Sequence, residues 1–354
     1  MNFLPSALEI IVGILLLFGG GELFVAGSSA LALLLGIPQI VIGLTVVSLG
    51  TSTPELFVSL ISTIRDGDAI AVSNVVGSNI FNVLVVLGLS ALVVPLRVKS
   101  RLVRRDVPLL LGVSLAVWGM ASGGRLTWQA GLALLVGTAM NLVWEIRTAS
   151  EHPDQEGDFD EGDRATPVVA SIKLAGGLVL LVLGSQVLVK GATAAAIGLG
   201  VTETVIGLTI VAAGTSMPEL VTSLVAAYRG KADLAIGNVV GSNLLNQLVI
   251  LGLCGAVSGE GLLVDPVVIS RDLPIMVLTT LALLPILWTR GLVTRLEGGI
   301  LVGLYGLYLA DQLLSETLTS AQDEFRFVVL VLVVPLVMVL LVWQMLRWRL
   351  QRSA

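Results

Sequence analysis

Apolar residues run along this chain in stretches of about twenty, and polar residues fall in short gaps between them. Eleven stretches are long enough to cross a bilayer as helices, near 4–36, 39–64, 69–94, 107–122, 126–146, 168–199, 203–228, 234–257, 273–289, 296–314 and 326–346. The pattern repeats. VIGLTVVSLGTSTPELFVSL begins at Val41 and returns as VIGLTIVAAGTSMPELVTSL at Val205, 164 positions on. The same offset pairs NVVGSN at Asn74–Asn79 with NVVGSN at Asn238–Asn243, and about half of roughly 50 positions in this register are identical, which marks a duplication. An offset of 166 relates Arg105-Asp106-Val107-Pro108 to Arg271-Asp272-Leu273-Pro274.

Composition agrees with lipid as the solvent. The 354 residues are 55% hydrophobic and 13% charged, about half the charge of an ordinary soluble domain, and mean hydropathy is +0.98. The expected fold is an all-α membrane protein of two five-helix repeats and an eleventh, C-terminal helix. An odd number of crossings per copy makes the second copy enter from the opposite side, so the repeats are expected to be inverted. The expected units are 1–146, a linker 147–167, 168–314, and an accessory helix with a basic tail at 315–354.

Charge sets the expected orientation. Arg97, Lys99, Arg101, Arg104 and Arg105 follow the third stretch, Arg229 and Lys231 the seventh, Arg290 and Arg295 the ninth, and Arg347, Arg349 and Arg352 the eleventh. With strict alternation all fall on one side, the cytoplasmic one, leaving the N-terminus outside and the C-terminus inside a plasma (inner) membrane. The N-terminus has no basic region ahead of its apolar run, so the first stretch reads as retained and not as a signal peptide. The acidic run Glu151–Asp163, with the only histidine, His152, reads as a solvated linker without the ordered alternation of an EF-hand. The single cysteine, Cys254, excludes a disulfide within the chain, and nothing suggests a nucleic-acid surface.

Each copy carries one glutamate inside an apolar stretch, Glu55 and Glu219. A carboxylate at membrane depth costs roughly 2.5–3.5 kcal/mol on insertion scales, so it normally serves a pathway. Neither has a basic residue within its own segment to pair with. Ser48, Thr51, Ser52, Glu55 and Ser59 share one helical face, and Thr215, Ser216, Glu219 and Ser223 repeat it, with Ala212 in place of Ser48. Pro54 and Pro218 sit in these stripes just after Gly50 and Gly214; each removes a donor and should open the helix and free carbonyls. Ser78 with Asn82, and Ser242 with Asn246, supply a second oxygen row. Such an all-oxygen set suits Ca²⁺ or Na⁺ and not zinc or copper. Serine and threonine often bond back to their own helix and glycine often serves packing, but that reading fails for the two glutamates. Glu22, whose counterpart is Gln186, divides evenly between structural bonding and an accessory role, and Arg65 and Arg229 read as interfacial anchors.

The two GTS-x-PEL stretches, each followed by NVVGSN-x-x-N, resemble the α-repeats of the cation/calcium antiporter superfamily, most closely prokaryotic sodium/calcium exchanger proteins. The likeness is strong over 20–94 and 184–258 and elsewhere lies only in segment layout. It implies a ten-helix core in which the second, third, seventh and eighth helices enclose the ions and the long first and sixth slide across them. It also implies Ca²⁺/Na⁺ antiport by alternating access, with no cofactor. By that likeness Glu55 and Glu219 are central ligands, with Thr51, Ser52, Thr215 and Ser216 beside them. Ser78 and Ser242 correspond to hydroxyl ligands, Ser48 and Ala212 to backbone-carbonyl ligands, and Asn82 and Asn246 to the remaining central positions. Several members carry aspartate at one of those last two positions, where this chain has asparagine at both. That lowers the maximum site charge by one and leaves the exact ions, K⁺ involvement and the coupling ratio open. The rival in mechanism is Ca²⁺/H⁺ exchange, in which Glu55 and Glu219 would carry protons. An intramembrane hydrolase is disfavoured, because no serine has a histidine or lysine at matching membrane depth and no aspartate pair lies inside the segments.

Overall fold

The computed structural model describes residues 4–65, 68–97, 103–151, 165–289, 291–317, 319–333, 335–337 and 339. The acidic run from His152 to Asp163, the basic residues Lys99, Arg101 and Arg290, and the tail bearing Arg347, Arg349 and Arg352 lie outside the described residues, as does the end of the expected stretch 326–346 from 340 on.

Helices account for nearly all of the described chain. They are α1 (Leu4–Leu35), α2 (Gln39–Thr51), α3 (Thr53–Ile64), α4 (Ile70–Val93), α5 (Val103–Ala121) and α6 (Trp128–Glu151). The second half begins with α7 (Pro167–Gly198) and α8, which runs from Glu203–Ile206 through Ala212–Thr215. There follow α9 (Met217–Tyr228), α10 (Ala232–Val257), α11 (Val268–Leu287), α12 (Arg295–Thr317) and α13 (Thr319–Val328). Six of these are long and apolar enough to span a membrane, and eight if the bent pairs α2–α3 and α8–α9 each count as one crossing. Eleven were expected. The difference at α5 and α12 is one of charge: Arg105 and Asp106 lie in one, and Glu297 and Asp311 in the other.

The pairs bend by 48° between α2 and α3 and by 62° between α8 and α9. The breaks fall at Ser52 (φ −79, ψ 6) and Ser216 (φ −89, ψ 10), and Pro54 and Pro218 occupy the first turn of the helix that follows. Proline is tolerated there because its missing N–H would have no intrahelical partner. The same residue that ends one helix thus starts the next.

Helices α4 and α10 form the centre and are buried along most of their apolar length, whereas α1 and α7 are largely exposed along theirs. They widen into single π-helical turns at Asn82–Leu87 and Asn246–Ile250, and α2 and α8 do the same at Gly43–Val47 and Gly207–Val211. Such turns insert one residue and frequently mark functional sites.

Helices α1 and α7, which are repeat equivalents, pack antiparallel through glycines spaced by seven. A Cβ at Gly13, Gly20 or Gly27 would lie 2.6, 2.8 and 2.6 Å from the backbone nitrogens of Leu188, Leu181 and Leu174. From the other side, one at Gly177 would lie 2.5 Å from the nitrogen of Phe24, and one at Gly184 would lie 2.8 Å from that of Leu17. Only hydrogen fits at these positions. Glu22 on α1 pairs with Arg229 at the end of α9, which gives both residues a structural partner.

Two short antiparallel ladders join the halves: Leu96–Arg97 with Leu292–Val293, and Arg125–Leu126 with Leu262–Leu263. The duplicated Arg-Asp motif is part of a duplicated ion cluster. Arg105 holds Asp106 and Glu145, and Arg271 holds Asp272 and Asp311. In the second cluster α13 adds Arg326, 2.6 Å from Asp311, so the accessory helix docks through a salt bridge.

Gly177→Ala is expected to lower stability by about 1–3 kcal/mol, because the new methyl forces α1 and α7 apart. Gly176→Ala, whose Cβ would meet nothing within 4 Å, should be neutral or gain up to about 1 kcal/mol from lost unfolded-state freedom. Thermal unfolding of the two variants in one detergent compares them directly.

Candidate cation site

The two helix breaks face each other at the middle of the bundle and bring both glutamates there, each fully buried. Their hydrogen bonds are reciprocal. Ser52 Oγ donates to Glu219 Oε1 at 2.9 Å, and Ser216 Oγ donates to Glu55 Oε1 at 3.0 Å. Each serine sits at the break of one repeat and serves the carboxylate of the other. The second oxygen of each carboxylate, Oε2, has no hydrogen-bond partner. A buried carboxylate oxygen left unpaired is costly, and a cation is the partner that would satisfy both at once.

The surrounding groups extend that pattern. Asn82 and Asn246 are buried, and the Oδ1 of each has no partner. Ser242 Oγ is likewise buried and unpaired, and Ser78, its repeat equivalent on α4, is buried. Glu55, Glu219, Asn82, Asn246 and Ser242 therefore leave five partnerless oxygens, all neutral or negative. Among the described residues no three His, Cys, Asp or Glu side chains converge, so a cation held here would rest on two carboxylates and neutral oxygens. Such a donor set fits hard cations bound by oxygen.

Other expected residues are placed differently in the two halves. Thr51 is buried and donates to Asn238 Oδ1 at 3.1 Å, whereas Thr215 is half-buried and turns back to the carbonyl of Ala212 at 3.5 Å. Ser48 is buried, and its hydroxyl donates to the carbonyl of Gly43, five residues back across the π-helical turn, with the carbonyl of Asn238 3.3 Å away. That hydroxyl is thus engaged in helix packing. Ala212, its counterpart, is exposed. The carbonyl of Ser48 accepts from the amide of Ser52 at 2.9 Å and from Thr51 Oγ1 at 3.4 Å.

The asymmetry continues along the helices. Helix α2 lies tight on α10: a Cβ at Gly43 would be 2.9 Å from the carbonyl of Leu234, and one at Gly241 would be 2.6 Å from Leu44 Cα and would strike Ser48 Oγ. The equivalent glycines across the α8–α4 contact are Gly207 and Gly77, and a Cβ at either would meet nothing within 4 Å. The approach to the glutamates is closed along α2 and open along α8.

Two pairs of asparagines belong to this framework although the sequence reading passed over them. Asn74 Nδ2 donates to Ser59 Oγ at 3.0 Å and to the carbonyl of Glu55 at 3.5 Å. Asn238 does the same for Ser223 and Glu219, at 2.9 and 3.3 Å. Both therefore hold the backbone of a glutamate. Asn79 and Asn243 contact Asn246 and Asn82. The signal was in the sequence: all four are retained asparagines of the duplicated NVVGSN.

Comparison with known proteins places this site in company. A model of the family described as "Sodium/calcium exchanger protein" matches residues 6–146 and 170–314. Inner membrane protein YrbG of Escherichia coli is 34% identical over 321 residues, covering 87% of this chain and 98% of its own length. The putative antiporter CaxA of Alkalimonas amylolytica is 37% identical, with coverage of 84% and 96%. Sodium/calcium exchanger MaX1 of Methanosarcina acetivorans is 31% identical, with coverage of 85% and 97%. The solved structure of the sodium–calcium exchanger NCX_Mj, from crystals soaked with Na⁺ and Sr²⁺, superposes with a TM-score of 0.74 at 28% identity, over 87% of this chain and 99% of that one.

The asymmetry is testable by stability. Asn238→Ala removes the partner of Thr51, Ser223 and the Glu219 carbonyl in a fully buried place, and is expected to cost about 1–3 kcal/mol. Asn74→Ala, at the half-buried equivalent, should cost less. Melting curves of the two purified variants give the order.

Proposed function

The chain belongs to the sodium/calcium exchanger protein family, and from that membership and the site we propose a secondary antiporter that exchanges Ca²⁺ for Na⁺ by alternating access. The observation that carries this reading is the facing pair Glu55 and Glu219, each fully buried, each with one oxygen held by a serine of the other half and one oxygen left over. Two carboxylates balance the charge of one Ca²⁺. Ca²⁺ and Na⁺ are similar in radius, so a single oxygen cluster accepts either, and competition for shared ligands yields exchange.

The ligands in this proposal are Glu55, Glu219, Thr51, Ser52, Thr215, Ser216, Ser78, Ser242, Asn82 and Asn246, with the carbonyls of Ser48 and Ala212. The empty site holds two uncompensated carboxylates, whose burial opposes a return without cargo and so limits leak. The loaded forms are free to switch. Closing α8 onto α4, as α2 is closed on α10, and opening α2 would present the same ligands to the other side. Gly207 and Gly77 leave room for that approach.

We further propose the unit boundaries 1–146, 147–167, 168–314 and 315–354, an inverted arrangement of the two halves, and a plasma (inner) membrane location with the N-terminus outside. The antiparallel packing of α1 on α7 supports inversion, since these helices are repeat equivalents. The two ladders support strict alternation. In an alternating chain Leu96–Arg97 and Leu292–Val293 fall on one side, and Arg125–Leu126 and Leu262–Leu263 on the other; the basic residues near the first pair make that side the cytoplasmic one in this proposal. The cargo is ions; no cofactor and no covalent chemistry enter.

Uptake of ⁴⁵Ca²⁺ into proteoliposomes is expected to follow an imposed Na⁺ gradient and not a pH gradient; the reverse would assign Ca²⁺/H⁺ exchange. Glu55→Gln and Glu219→Gln keep the shape and remove one charge, so exchange should fall to near background while each variant still inserts and purifies. Normal kinetics in both would overturn the assignment. For orientation, cysteines at Ser100 and Asp323 should be labelled by an impermeant reagent from opposite faces, against a low background because native Cys254 is buried.

A further inference from the structure

Four buried asparagines on α4 and α10 join their amide groups into two crossed chains. Asn79 Nδ2 donates to the backbone carbonyl of Asn243 at 3.3 Å, and Asn79 Oδ1 accepts from Asn246 Nδ2 at 3.0 Å. The mirror chain runs from Asn243 Nδ2 to the carbonyl of Asn79 at 3.2 Å, with Asn243 Oδ1 accepting from Asn82 Nδ2 at 3.1 Å. All four side chains are buried, with at most 1% exposure, and the chains end at the two partnerless oxygens, Asn82 Oδ1 and Asn246 Oδ1.

An amide has an acceptor end and a donor end of nearly the same shape, so packing alone does not choose between them. Beside two carboxylates in a poorly solvated pocket, electrostatics would favour the wrong choice. With no cation present, the –NH₂ group would turn toward the carboxylates, and a cation would then meet hydrogens. The crossed chains prevent this. Turning Asn246 over would set its Oδ1 against Asn79 Oδ1, acceptor on acceptor. Turning Asn79 as well would set its Oδ1 against the carbonyl of Asn243, which belongs to the main chain of a helix and does not rotate. The direction of each chain is therefore anchored in the backbone of the opposite repeat.

We propose that Asn79 and Asn243 are positioning residues that hold the oxygens of Asn246 and Asn82, respectively, toward the transported cation. This rests on the cation-exchange reading above and adds which residues fix the orientation of its two neutral central ligands. The residue types at these positions are coupled across the repeats: an asparagine at 246 needs an acceptor at 79, and an asparagine at 82 needs one at 243. An aspartate at 246 has oxygen at both ends and needs no such orientation.

A double-mutant cycle tests this through the Ca²⁺ concentration that half-saturates Na⁺-driven ⁴⁵Ca²⁺ exchange, and through Ca²⁺ binding to purified protein by calorimetry. Asn79→Ala is expected to weaken Ca²⁺ about tenfold or more, the scale typical of groups that orient a ligand. In an Asn246→Asp background the same change should cost little. In an Asn82→Asp background it should cost the full amount, and Asn243→Ala should show the opposite pairing. Asn79→Leu, which fills a similar volume with neither donor nor acceptor, replaces the alanine variant if that one fails to fold. An equal loss in all backgrounds, following the loss of melting temperature, would make the asparagines packing residues and overturn the proposal. A parent protein that neither binds nor exchanges Ca²⁺ would overturn the exchange reading itself, a different outcome from a cycling parent without 79–246 coupling.

Discussion

Two buried carboxylates set the terms for everything around them. Glu55 and Glu219 lie at full burial in a chain that is mostly hydrocarbon, so every neighbouring choice has to make a negative charge tolerable without neutralising it permanently. A basic partner would do so, but it would also fill the site. The chain instead places its buried ion pairs elsewhere, in the Arg105–Asp106–Glu145 and Arg271–Asp272–Asp311 clusters. Around the glutamates it supplies only hydroxyls, amides and broken helix ends. The helix breaks at Ser52 and Ser216 turn the serine hydroxyls across to the opposite carboxylate, and the π-helical turns shift the register of α4 and α10 at Asn82 and Asn246.

This framework is symmetric in sequence and asymmetric in packing. The serine–glutamate and asparagine–asparagine bonds repeat across the two halves with nearly the same distances. The flanking helix segments do not, because α2 is pressed onto α10 at Gly43 and Gly241 while Gly207 and Gly77 remain open. A duplicated sequence that packs in two different ways has two local solutions available to one motif. Alternating access, as proposed above, would have each half take up the arrangement the other shows.

Much of this was legible in the sequence, for identifiable reasons. The duplication needed only self-comparison, and the helix breaks followed from proline chemistry, since Pro54 and Pro218 remove a donor wherever they sit. The glutamates stood out because charge is rare in such a chain. The hydroxyl of Ser48 was harder to read. Its bond to Gly43 spans five residues and exists only because a π-helical turn intervenes, and no spacing rule for α-helices would find it. The difference between Thr51 and Thr215 was not legible from residue type, because both are threonines of the repeated GTS and differ in what the folded chain places beside them. Asn79 and Asn243 were visible in NVVGSN, but their partners lie across the repeat boundary, which a reading along the chain does not cross. The number of crossings was legible only in part, because α5 and α12 carry Arg105, Asp106, Glu297 and Asp311 along otherwise apolar lengths.

The seven-residue glycine stripe joining α1 to α7 has a mechanical consequence. Where added methyl carbons would stand 2.5–2.9 Å from the backbone of the facing helix, the two surfaces are toothed and not smooth. Sliding one helix along the other would drive leucine and phenylalanine side chains into notches sized for hydrogen, and the next matching engagement lies a full seven residues, about 10.5 Å, further along. Small displacements within the pair are therefore blocked, and the two longest helices among the described residues are keyed together as one rigid rod.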